Sequence, residues 1–180
     1  MTPIYFSDEE LTAMIESVPH RNPMDVRSAI TLPKKQLTEY ELATWIAEYN
    51  EMSGATTFEL TVVREVNRVR ARYELHPLAL DPALMLSARL KTQEFGDLQY
   101  FGHNSTVHGT PAESAHMLGF EGRRVSETIT QSGSSSAVEF RTNTERIVGG
   151  MLASTRGHRD ILLNPNAYSV GLGLSSRLIQ

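Results

Sequence analysis

The chain has 180 residues, 40% of them hydrophobic and 21% charged, with a formal net charge of -4 and no cysteine. That composition suits one folded domain with a full core, or a domain plus a helical extension, and it excludes disulfide staples, thiolate chemistry and Cys-based zinc sites. Lys and Arg are scattered except for short pairs such as Lys34-Lys35 and Arg123-Arg124, so no nucleic-acid partner is expected, and no apolar run nears the roughly 20 residues of a membrane-spanning helix.

The amino terminus, Ile4-Tyr5-Phe6 followed by Ser7-Asp8-Glu9-Glu10, lacks the basic and apolar segments of a signal peptide. Ser7 with Glu10 fits a capping box and predicts a first helix; Thr38 with Glu41 predicts another, whose Leu42, Trp45, Ile46 and Tyr49 form one apolar stripe. Residues 1–55, broken by Pro19, Pro23 and Pro33, read as an amino-terminal helical extension, and 56–180 as the main domain. Thr56 with Glu59 opens a helix carrying Val62, Val66, Val69 and Tyr73. Asp81-Pro82 is an N-cap with a first-turn proline, opening a helix through Leu84, Ala88 and Phe95 that ends near Gly96 or Leu98.

Thr110 with Glu113 and Thr142 with Glu145 repeat the capping pattern, and Ile147, Val148, Met151 and Leu152 mark a short helix. Strands are predicted at Val125–Thr130, Ala137–Arg141 and Tyr168–Leu174, with Ser132-Gly133-Ser134-Ser135-Ser136 as an exposed loop. Helices first and strands later predict an α+β domain with helices packed on an antiparallel sheet.

The motifs of P-loops, dinucleotide folds, zinc-dependent His-Glu-x-x-His helices and serine nucleophile elbows are all missing from the sequence. His103 falls in a loop after the third strong helix, and His158 just past the short helix, places where functional side chains are presented. Glu127 is acidic within an apolar pattern and needs a partner if covered. Two imidazoles and a carboxylate can hold Zn²⁺ with an open position, or form a hydrogen-bonded structural knot. His20, His76 and His116 read as surface or packing residues, and Trp45 with Tyr49 as packing for the extension.

Several stretches carry a family resemblance. Val62 to Ala71 followed by Leu75-His76-Pro77-Leu78 resembles the opening helix and turn of bacterial CAP domains, the cysteine-rich secretory, antigen 5 and pathogenesis-related superfamily. Gly102-His103-Asn104-Ser105 is similar to its His-x-Ser segment, Ser126-Glu127-Thr128-Ile129 to its Gly-Glu-Asn-Ile signature, and Ser154 to Gly173 to its Gly-His-Arg, Asn-Pro-Asn and Gly-x-Gly spacing. The likeness spans residues 57–174 and implies an α-β-α sandwich with a central antiparallel sheet.

It further implies a cleft lined by His103, Glu127 and His158, with Ser105, His108 and Ser154 at its rim and a divalent cation such as Zn²⁺ as a candidate occupant of the histidine pair. The second acidic residue of many members has no counterpart in Met151 to Thr155. Met151 replaces a common tryptophan, and the chain ends at Gln180 where relatives continue into a further strand, so a fragment or a shorter sheet is expected. The resemblance favours a noncatalytic secreted or surface module for a small molecule, lipid or protein. The alternatives are a metal-assisted hydrolase using His103, His158 and Glu127, and a structural docking domain of a larger surface or phage protein.

Overall fold

In a computed structural model of the chain, residues 2–17, 31–51, 55–130 and 137–174 are described. The element order is α1 (Asp8–Ser17), α2 (Glu39–Glu51), α3 (Thr57–Arg72), β1 (Ala79–Leu80), α4 (Pro82–Asp97), α5 (Pro111–Met117), α6 (Ala137–Leu152), α7 (His158–Leu162) and β2 (Ser169–Val170).

Local chemistry sets four helix starts where the capping pattern predicts them. Thr56 and Thr110 each accept from the backbone N–H three residues on, while Glu59 and Glu113 accept from the cap's own N–H. Ser7 with Glu10 and Thr38 with Glu41 make the same reciprocal bonds, and Asp81 caps Ala83 and Leu84 ahead of Pro82. These bonds satisfy N–H groups that a helix leaves orphaned.

Three apolar clusters fill the interior. Val62, Val66 and Val69 of α3 pack on Val148 of α6 and Leu162 of α7. Leu11 of α1 joins Leu60 and Val63 of α3, Leu80 of β1 and Met85 of α4. Trp45 and Tyr49 of α2 lie against Leu86 and Leu90 of α4 with Val107 and Leu118, and Gln93 of α4 accepts from Trp45 Nε1 at 3.0 Å and the Tyr49 hydroxyl at 3.2 Å. Both amino-terminal helices therefore share core with the rest of the chain.

Four sequence expectations change. Ala137–Arg141 is the start of α6 rather than a strand; the buried Thr144 and Val148 stand one helical turn apart, and burial of that stripe on α3 overrides local β preference. Thr142 and Glu145 consequently lie inside α6 and mark no helix start. Val125–Thr130 runs as irregular chain without a ladder partner among the described residues. The strand expected over Tyr168–Leu174 is limited to Ser169–Val170, whereas the helix through Leu84, Ala88 and Phe95 runs as expected from Pro82 to Asp97 with Leu98 as its C-cap.

The mixed α/β class holds, but the sheet is small and its named pair is parallel: Ala79 faces Ser169 and Leu80 faces Val170. The long connection through α4 to α7 permits parallel pairing. An antiparallel bridge at Ile4–Leu80 extends it on the other edge. Beyond β2, a Cβ on Gly171 would overlap the Leu84 and Met85 backbone, and one on Gly173 the backbone of Ala88, so these glycines let the chain lie directly on α4.

Candidate functional site

The loop after α4 carries His103. Leu98 N–H bonds back to the Glu94 carbonyl, Gln99 turns the chain at φ 49°, and Ser105 and Gly109 exchange both backbone hydrogen bonds, at 2.9 and 3.1 Å. Gly109 has φ 77°, a value that favours glycine. His103 then projects so that its Nδ1 lies 2.7 Å from Oε1 of Glu127. The side chains are 53% and 18% exposed, so the pair stands at the surface with one side open.

Beyond Glu127 the segment turns toward the second histidine. Thr128 Oγ1 is 3.9 Å from the Met151 sulfur, and Thr130 joins Arg146, Met151, Ser154, Arg156 and His158 in lining an open groove of about 570 Å³. Ser154 Oγ accepts from Arg156 N–H at 3.1 Å and shapes the turn. Gly157, at φ 89°, reverses the chain into α7, whose first residue is His158.

Arg70 anchors the far end of α7. Fully buried, its guanidinium donates to the carbonyls of His76 at 2.9 Å, Leu162 at 2.9 Å, Asn164 at 3.0 Å and Ala167 at 3.3 Å. The fork geometry of arginine suits such converging carbonyls.

The structure thus joins His103 to Glu127 and sets His158 in the adjoining groove, whose lining residues include neither of the other two. Ser154 lines that groove as well. Ser105 and His108 both bond to Glu94 of α4: half-buried Ser105 donates from Oγ to Glu94 Oε1 at 2.6 Å, and His108, buried, lies with Nε2 3.0 Å from Glu94 Oε2. Burial opposes ionisation of Glu94, but bonds from His108 and Ser105 and the nearby His108 and Lys91 charges outweigh it, holding its carboxyl below the usual range. Lys91 and Glu94 escaped the sequence reading, although Glu94 follows Leu86 and Leu90 at helical spacing in the buried register.

The side chains do not fit a closed cation site. No three His, Cys, Asp or Glu groups gather in a metal-holding arrangement among the described residues.

Comparison with known proteins places this architecture. Residues 63–177 match the cysteine-rich secretory protein family, CAP. The uncharacterized protein YkwD of Bacillus subtilis is 31% identical over 121 residues, 67% of this chain and 44% of that protein. The fold resembles, at TM-score 0.58 and 22% identity, a crystal structure of an extracellular protein containing an SCP domain from Bacillus anthracis, covering 78% of this chain and 41% of that one. The chain spans less than half the length of both relatives. With the matched region covering well over half of the 180 residues and including His103, Glu127 and His158, the chain belongs to the cysteine-rich secretory protein (CAP) family.

Proposed function

We propose that the chain is a noncatalytic binding module that acts outside the cell or at its surface, with His103, Glu127 and His158 as its ligand contacts. The observation that carries this reading is the surface pairing of His103 Nδ1 with Glu127 at 2.7 Å, next to the groove that His158 lines. A carboxylate-held imidazole is a directional hydrogen-bonding group, and an adjoining groove offers room for the body of a small molecule, a lipid or a peptide.

Among the described residues no serine or threonine hydroxyl bonds to either imidazole, so an activated nucleophile has no support. The extracellular description of the Bacillus anthracis protein supports a location outside the cell. No helix among the described residues is long and apolar enough to cross a membrane.

Nuclear magnetic resonance titration of the labelled chain tests this reading with a neutral hexose, a short tripeptide and phospholipid micelles as probes. Saturable shifts on residues 103, 127–130 and 158, with the probe recovered unchanged, are expected for at least one probe. Cleavage of a bound probe, or saturation confined to a distant face, contradicts it.

A further inference from the structure

The exposed pair stands on a buried polar cluster. Lys91 and Glu94, one turn apart on α4, are only 2% and 1% exposed, and charges so deep in a core persist only where partners surround them. Lys91 Nζ lies 3.4 Å from Glu94 Oε2. Glu94's other partners belong to the loop that carries His103: Ser105 on Oε1 and His108 on Oε2.

Lys91 makes its shorter bond, 2.9 Å, to the carbonyl oxygen of His103 itself. Ser105 Oγ in turn accepts from the N–H groups of Val107 at 2.9 Å and His108 at 3.2 Å, so the loop closes around a single carboxylate. The cluster is also imperfect, because among the described residues His108 Nδ1 is buried without a partner. A buried network that leaves one polar atom unsatisfied is a poor way to gain stability alone, and such local violations concentrate at functional sites.

We propose that Lys91 and Glu94 are positioning residues for His103, fixing its backbone so that the ring meets Glu127 in one orientation. A carboxylate only accepts, so in the uncharged form of the ring Nδ1 carries the proton and Nε2 is left as a lone pair. No described residue bonds that Nε2. Nε2 is therefore an acceptor, and the ligand it takes presents a hydroxyl or amide N–H. The ligand class rests on the binding role proposed above; the positioning does not.

Long-range ¹⁵N–¹H spectra of the His103 ring, recorded above the imidazole titration range, test the positioning with no ligand present. Wild type should show one Nδ1–H tautomer. Glu94→Gln and Lys91→Met should show mixed tautomers and lose the slowly exchanging Nδ1 proton. Arg89→Met breaks a different buried pair, with Glu59, and should leave the His103 spectrum unchanged although it also destabilises the fold. Should the charge variants fail to fold, Ser105→Ala removes only a hydroxyl and carries the same expectation.

Folded Glu94, Lys91 or Ser105 variants that keep the wild-type tautomer would overturn the positioning role, as would an equal change in Arg89→Met. For the ligand class, glycerol should shift Nε2 while 1,2,3-trimethoxypropane, which has no donor, should not. Equal shifts from both, or none from glycerol, would overturn that part and leave the positioning result standing.

Discussion

His103 and Glu127 lie 24 residues apart in sequence, and their Nδ1 and Oε1 atoms are 2.7 Å apart in space. Because the imidazole is more than half exposed, water competes for its contact with Glu127, and exposed contacts of this kind contribute about 0–1 kcal/mol. His103→Ala and Glu127→Ala should each change unfolding stability by less than about 1 kcal/mol while removing ligand-induced shifts at the site. Urea unfolding midpoints alongside the probe titrations check this, and a large midpoint loss in either variant would make the pair structural.

Acid should act through Glu94. Its folded carboxyl titrates below the ordinary value, 4.5, so the stability it contributes is fully present above that value and disappears as pH falls through the depressed folded value. One such group adds a slope of up to about 1.4 kcal/mol per pH unit. Melting temperatures between neutral pH and pH about 3 should fall less steeply in Glu94→Gln than in wild type, although the variant starts lower. Parallel curves would mean that Glu94 does not contribute in this way.

Replacing Arg70 should damage the chain more than any surface change. Arg70→Met strands four carbonyls that the guanidinium serves, and each unsatisfied buried group costs about 1–3 kcal/mol. Denaturant unfolding should show a loss of about 3 kcal/mol or more, and Arg70→Lys should recover only part of it. The His158 resonances should move as well, since Leu162 closes α7.

Gly171→Ala and Gly173→Ala should both destabilise, because the added methyl meets α4 backbone and not a yielding side chain. Overpacking of this kind costs about 1–3 kcal/mol, readable as a lower thermal midpoint. Gly150→Ala, with open space around its Cβ, should be neutral or stabilising in the helix.

Sequence patterns revealed what depends on neighbours along the chain. The caps at Thr56, Asp81 and Thr110 are local reciprocal bonds, so they read directly. The same text at Thr142 and Glu145 misleads because α6 already begins at Ala137, and tertiary burial decides that start. The parallel pairing of β1 with β2 joins residues about 90 positions apart, beyond the reach of periodicity.

At the site, His103 and Glu127 were legible through a family pattern, whereas Lys91 and Glu94 look like an ordinary solvated helical pair. Only their phase relative to Leu86 and Leu90 betrays burial. His108 reads as a loop histidine, and its contact with Glu94 depends on how the loop folds back on α4.

Zinc titration calorimetry on the wild-type chain and on a His103→Ala, His158→Ala double variant tests most directly whether the cleft binds through its imidazole–carboxylate pair without a cation. Featureless heats of dilution from both proteins are the predicted result. A saturable one-to-one complex in the wild type that disappears in the double variant would contradict it.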